Sequence, residues 1–192
     1  MSTSKTAYHH GDLREALLAQ GLRLIEARDA ATLSLREVAR AAGVSATAVY
    51  RHFPDKRALM AALAEEGLAR LYEAQAAAAA AAPDNPLEAT GRAYVRFALA
   101  NPALFRVTFA SPGGSPHDPL DDAAGRLLHE NALALTGGSA AQAKLLAVQA
   151  WSLVHGLAML MLDGRLPQDE ALIDATISAK GLFQGSSSEA SP

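Results

Sequence analysis

The sequence predicts an all-α protein of about nine helices, a small N-terminal three-helix domain joined to a larger C-terminal helical one. Three observations predict it. Half of the 192 residues are hydrophobic but only 5% are aromatic, so the core is aliphatic, and the heavy use of alanine raises helix propensity. No segment alternates apolar and polar residues over a strand's length, and Val, Ile, Thr and Tyr do not cluster. Apolar residues instead recur three and four positions apart, in segments bounded by helix-start and helix-stop signals.

The first helix runs from Asp12 to Arg28, with Leu13, Leu17, Leu24 and Ile25 on one stripe that Leu18 and Leu22 widen. Ser34 opens the second. Ser34 and Glu37 have capping-box spacing, in which the hydroxyl takes the amide three residues on and the carboxylate returns to the cap amide. Gly43 ends this helix, as suits the left-handed position past a helix terminus. Ser45 caps a short third helix through His52, and Pro54 stops it. Asp55 caps a long fourth helix through Leu59, Leu63, Leu68 and Leu71 into the alanines at 76–82, ended by Pro83. Asn85, Pro86 and Glu88 read as cap, first-turn proline and returning acid for a fifth helix to Ala100.

Pro102 to Ala110 is a short helix, and residues 111–116, rich in Gly, Pro and Ser, form a loop. Asp118 and Pro119 open the next helix, with Asp121 and Asp122 in its first turn, and Gly137 and Gly138 close it. Ser139 caps the longest C-terminal helix, Ala140 to Leu162, which Gly164 and Pro167 end. A last helix runs from about Asp169 to Phe183, and residues 185–192 form a polar tail expected to be disordered. The domains are thus expected at 1–60 and 61–184, with the helix 55–82 shared between them.

The informative stretch is Leu33 to Leu59. Two short helices separated by Gly43, Val44 and Ser45 are the sequence form of a helix-turn-helix. Leu35, Val38, Ala39 and Val49 face inward, while Ala46, Thr47, Ala48, Tyr50 and Arg51 project from the second helix. Small residues at the start of that helix let its backbone approach a groove floor. Tyr50, His52 and Lys56 offer a phenol, an imidazole and an ammonium for phosphates on either side of it. The helix amino ends at Ser34 and Ser45 add free amides and a positive dipole end, although capping alone explains Ser34. Charge agrees: residues 1–58 hold nine Lys and Arg against six Asp and Glu, whereas the remainder is acidic and the whole chain carries −3.

The segments Leu33-Ser34-Leu35-Arg36-Glu37-Val38-Ala39, Ala42-Gly43-Val44-Ser45 and Val49-Tyr50-Arg51-His52-Phe53-Pro54-Asp55-Lys56-Arg57-Ala58-Leu59 resemble the DNA-binding domain of the TetR/AcrR transcriptional regulators. Tyr8-His9-His10-Gly11-Asp12-Leu13-Arg14 and Trp151-Ser152-Leu153-Val154-His155-Gly156-Leu157 look like one subset of that family, with a Trp…His-Gly C-terminal domain. The resemblance implies a homodimeric, ligand-responsive regulator, commonly a repressor. Its N-terminal domains would read a palindromic operator in double-stranded DNA, and its C-terminal helices would dimerise and enclose a small-molecule effector. By position it implies recognition-helix contacts from Thr47, Ala48, Tyr50 and His52, phosphate contacts from Ser34 and Lys56, and, as in some members, base reading by Arg36; Ser45, Ala46 and Arg51 are further candidates for DNA contact. Ala46 and Ala48 depart from the family's longer or hydroxylated residues. Methyls can read thymine but donate no hydrogen bond, which shifts readout onto Arg36, Thr47 and DNA shape.

Ala140 to Leu162 is apolar on nearly every side, so it must be covered on every side. One face packing inward and another meeting a second subunit would achieve this, with the last helix joining it in a four-helix dimer interface. An effector pocket is expected among Tyr94, Phe97, Leu104, Phe105, Phe109, Trp151, His155 and Met159, although plain core packing explains any one of them as well. Enzyme signatures are missing: no nucleophile elbow, phosphate loop or His-Glu-x-x-His occurs. No metal site or cofactor is expected, since His9 and His10 lack further ligands and there is no cysteine. A polar N-terminus and apolar runs expected to stop short of a membrane span place the chain in the cytoplasm. The alternative reading is a helical small-molecule-binding or interaction module without DNA function.

Overall fold

The computed structural model describes residues 10–28, 30–110 and 122–178. Among these are nine α-helices, one short 3-10 turn at Ala30–Thr32, and no strand. The helices are α1 (His10–Ala27), α2 (Leu35–Ala41), α3 (Ala46–His52), α4 (Lys56–Ala81), α5 (Pro86–Ala100), α6 (Pro102–Phe109), α7 (Ala123–Leu135), α8 (Ala140–Leu162) and α9 (Glu170–Thr176). Tyr8 and His9, the 111–116 loop, the helix opening at Asp118, Phe183 and the 185–192 tail lie outside the described residues.

Contacts divide the chain into two compact units, residues 1–67 with 103–112, and residues 68–102 with 113–192. The division therefore falls at Gly67 within α4, later than residue 60, and α6 folds with the first unit. The reason is local. A β-carbon on Gly67 would collide with Thr108 Oγ1 and stand 3.2 Å from Leu104 Cδ1, so α4 and α6 meet backbone to side chain with no room for alanine.

The first unit is built around Leu17, Ile25, Val38, Val49, Phe53, Leu59 and Leu63 with Leu104 and Phe105 of α6, all essentially sealed from water. Each such side chain contributes about 1.5–3 kcal/mol through burial. Gly21 of α1 lies against Leu63 and Leu59 of α4, and the Arg14 guanidinium stacks 5.6 Å over the Phe53 ring.

In the second unit α5 and α7 both pack on α8. Their core joins Leu87, Ala132, Ala143, Leu146 and Ala147. Gly91 lets α5 approach closely, since a β-carbon there would meet Ile177 Cγ2 at 2.9 Å and Val154 Cγ1 at 3.3 Å. Helix α9 is short but doubly held. Ile173 and Ile177 are buried, while on its outer side Arg92 pairs with Asp174 at 2.8 Å and Arg96 with Glu170 at 2.7 Å.

Several helix starts differ from expectation. Asn85 makes no side-chain cap, because its backbone (φ −141°, ψ 56°) lies outside the extended cap conformation, and Glu88 bonds Arg92 instead of turning back. Ser139 likewise makes no cap hydrogen bond. Helix α7 starts at Ala123, and Asp122, expected in a first turn, is instead its cap, the carboxylate accepting from the Gly125 amide at 2.7 Å. The last helix ends at Thr176, with Ile177 as its C-cap.

Helix α8 is long and apolar enough by length and composition to cross a membrane, contrary to the expectation that no segment is. Past Lys144 its interruptions, Gln149, Ser152, His155 and Gly156, are uncharged and do not break the run. Only a third of its most apolar window is buried within the chain, and Leu145, Val148 and Leu160 stand exposed.

Candidate functional site

The helix-turn-helix is fixed by its ends. The Ser34 hydroxyl accepts the Glu37 amide at 3.3 Å, and the Glu37 carboxylate takes the Ser34 amide at 3.1 Å and the Ser34 hydroxyl proton at 2.8 Å. The capping box is complete, and these bonds hold the Glu37 carboxyl below its ordinary range. At the other end of α2, Gly43 adopts φ +68°. The Val44 amide reaches the Ala39 carbonyl at 3.0 Å and the Gly43 amide the Arg40 carbonyl at 3.2 Å, the paired bonds of a Schellman turn. Only a residue tolerant of the left-handed region closes α2 and launches α3 in this way. Ser45 then caps α3 by accepting the Ala48 amide at 3.2 Å, and Asp55 caps α4 by accepting the Ala58 amide at 2.8 Å.

Val49 is the anchor of α3, buried completely, so the opposite face is turned outward. Ala46, Thr47 and Arg51 are exposed, Tyr50 is 47% exposed, and Ala48 and His52 are half-buried. Arg36, the second residue of α2, is exposed as well. The structure thus brings Arg36, Ser45, Ala46, Thr47, Tyr50 and Arg51 to the surface of one small motif. Two expected phosphate groups are already engaged. The Ser34 hydroxyl proton is given to Glu37, and the Lys56 ammonium donates to the Ala31 carbonyl, stapling the 3-10 turn to the start of α4.

The expected pocket residues separate by unit. Leu104, Phe105 and Phe109 lie on α6 in the first unit, the first two fully buried and the two phenyl rings packed 4.8 Å apart. Tyr94, Phe97, Trp151, His155 and Met159 lie in the second unit. There the Trp151 indole N–H donates to the Tyr94 hydroxyl at 3.3 Å, and that hydroxyl lies 2.8 Å from His155 Nδ1. Burial pushes the Tyr94 phenol up and the His155 imidazole down, so both are neutral at pH 7. If the phenol gives its proton to His155 Nδ1, the ring carries its own proton on Nε2; the opposite tautomer reverses that bond.

Two polar features escaped the sequence reading. The Arg92 and Arg96 pairs with α9 depend on residues far apart in the chain. Gln75 is buried in α4, where its side-chain amide donates to the Thr90 carbonyl at 3.3 Å. Its signal was a single amide on the apolar phase Leu68-Leu71-Gln75 of an otherwise alanine-rich helix.

Two family models match the chain. Residues 17–63 match the tetR family of bacterial regulatory proteins, and residues 87–179 match the tetracyclin repressor-like C-terminal domain. No curated protein matches it. Among solved structures, a protein with unknown function from Rhodococcus sp. RHA1 is 33% identical, with TM-score 0.70, covering 90% of this chain and 93% of that one. A TetR family transcription regulator from Marinobacter aquaeolei VT8 shares the fold at 19% identity and TM-score 0.60, over 85% and 91% of the two chains. A TetR variant from Acinetobacter baumannii AYE, in complex with minocycline, shares it at 17% identity and TM-score 0.60, over 88% and 96%.

Proposed function

The chain belongs to the TetR family of bacterial regulatory proteins, and from that premise we propose that it is a ligand-responsive homodimeric repressor that binds a palindromic operator. The family itself makes it a DNA-binding transcription regulator and not an enzyme. The observation that carries the finer reading is the outward face of α3, where Thr47, Tyr50 and Arg51 project from a helix locked by a capped turn and by buried Val49. Arg36 and Thr47 supply base readout, with DNA shape contributing where Ala46 and Ala48 cannot donate. Tyr50, His52 and the amides at Ser45 contact phosphate. Lys56 and Ser34 position the reading helix through Ala31 and Glu37, and reach phosphate only by giving up those bonds. The protein works in the cytoplasm, where its operator is.

Dimerisation is supported by α8. Its exposed Leu145, Val148 and Leu160 need cover, and Gly156 lies mid-helix with no atom within 4 Å of where a β-carbon would stand. A mid-helix glycine costs roughly 1 kcal/mol against alanine, and no close approach among the described residues calls for one here. A second α8 crossing at Ser152 and Gly156 accounts for it, as close approach requires a small residue. The second unit, with Tyr94, Trp151 and His155, receives the effector.

The test is titration of the full chain onto the palindrome in its own promoter at several salt concentrations. Affinity should fall about 10³–10⁵-fold between 50 and 200 mM salt if six to ten phosphates are contacted. Arg36→Ala should lower the specific-to-nonspecific ratio by about 1–3 kcal/mol and relax one base position. An unchanged ratio removes Arg36 from the readout, and a flat salt dependence favours a helical binding module without DNA function.

A further inference from the structure

We infer that Gln75 is the hydrogen-bond acceptor for the effector, which is therefore a neutral molecule with an apolar body and an O–H or N–H donor. This rests on the reading of the second unit as effector-binding.

Gln75 is 6% exposed, and its side-chain nitrogen is committed to the Thr90 carbonyl. A carbonyl can only accept, so that bond fixes which end of the amide is nitrogen. The other end, Oε1, is buried with no partner among the described residues. Its neighbours on α4 bring it no bond: Leu71, Ala74, Ala76, Ala78 and Ala79 have no side-chain donor, the Tyr72 hydroxyl one turn before is not bonded to it, and the nearby Thr90 hydroxyl donates to its own helix at the Leu87 carbonyl, 2.9 Å away. A buried amide oxygen left without a donor destabilises the empty protein, and a ligand that satisfies it recovers that loss on binding.

Among the described residues the other buried side-chain atoms without a partner are His129 Nδ1 and Asn131 Nδ2, both on α7, apart from Arg92 Nε, which faces the Asp174 carboxylate at 2.8 Å. Helices α4 and α7 also flank an open cavity of about 120 Å³ lined by Tyr72, Leu127, Arg126 and Glu130, with Tyr72 one turn before Gln75. The chemistry narrows the class. A carboxylate, ketone or ether has no proton for Oε1. An ammonium has one but would carry charge into an apolar interior at several times the cost. Alcohols, phenols and neutral amides remain.

The experiment pairs donors with their capped twins: 1-naphthol, 2-naphthol and decan-1-ol, each against its methyl ether. Binding to the full chain is followed by calorimetry and by release of promoter DNA. The hydroxyl compounds should bind at least tenfold more tightly than their ethers, and Gln75→Leu should abolish that preference while the helical circular dichroism is kept. Gln75→Met, closer in shape, should behave the same way if leucine disturbs packing. Compounds that bind and release DNA without a donor preference, or with one that survives both variants, overturn the inference and leave the effector reading standing; water then satisfies Oε1. If no alcohol and no ether binds, both readings fall.

Discussion

Replacing Tyr94 with phenylalanine isolates the hydroxyl that joins α5 to α8. The ring is 3% exposed, so its apolar packing is unchanged by the substitution. What disappears is one good hydrogen bond, 2.8 Å to His155 Nδ1, and one long one, 3.3 Å from Trp151. Both surviving partners are only partly buried, so water recovers some of their loss. Taking the first bond at its usual net value and the second at a fraction of it gives about 1–2 kcal/mol. For a chain of this size that is a fall of roughly 2–8 °C in Tm. Urea unfolding followed by circular dichroism measures the free energy, and nitrogen-15 spectra of the imidazole report its tautomer. Wild-type His155 should carry its proton on Nε2, and Tyr94→Phe should lower the unfolding midpoint without changing the denaturant slope. Unchanged stability, or a proton on Nδ1 in the wild type, would refute the chain of donation from Trp151 through Tyr94 to His155.

Three further outcomes are expected. Gly67→Ala should cost about 1–3 kcal/mol by forcing α4 from α6, and Thr108→Ala should relieve part of it, so a double-mutant cycle will show coupling in urea unfolding. Because burial lowers the His155 pKa, the folded chain holds this group neutral while the unfolded chain protonates it. Its contribution is complete above about pH 6.5 and is lost as pH falls below that value, until the folded chain also protonates. His155→Gln should flatten that part of the stability–pH curve, measured by thermal unfolding. Gly156→Leu should leave the helical spectrum intact, since no described residue comes within 4 Å of a β-carbon there, but shift equilibrium sedimentation from dimer to monomer.

The features legible in the sequence were those decided within a few residues. Ser34 with Glu37, Gly43, Ser45 and Asp55 each act on amides or carbonyls three to five positions away, and each does in the structure what its type and spacing predict. Asn85 and Ser139 show the limit: the residue type permits a cap, but the backbone angles that decide whether it forms are set by how the incoming chain packs. The placement of α6 was hidden for a stronger reason. It depends on Gly67 meeting Thr108, a contact between separate helices that no local pattern encodes. At the reading surface, sequence position identified which side chains α3 presents. It did not reveal that the Lys56 ammonium and the Ser34 proton are already bound.

The hydrogen-bonded cluster in the second unit also gives the protein an optical label of its own. Trp151 is the only tryptophan in the chain. All indole emission therefore arises from one point, a ring whose N–H is held by Tyr94 and whose centroid lies 5.7 Å from the His155 imidazole. Wavelength follows the polarity at that point, and an imidazolium so close quenches where an imidazole does not. The charge on His155, and the arrival of any ligand beside it, can thus be followed in the unmodified protein with no dye attached.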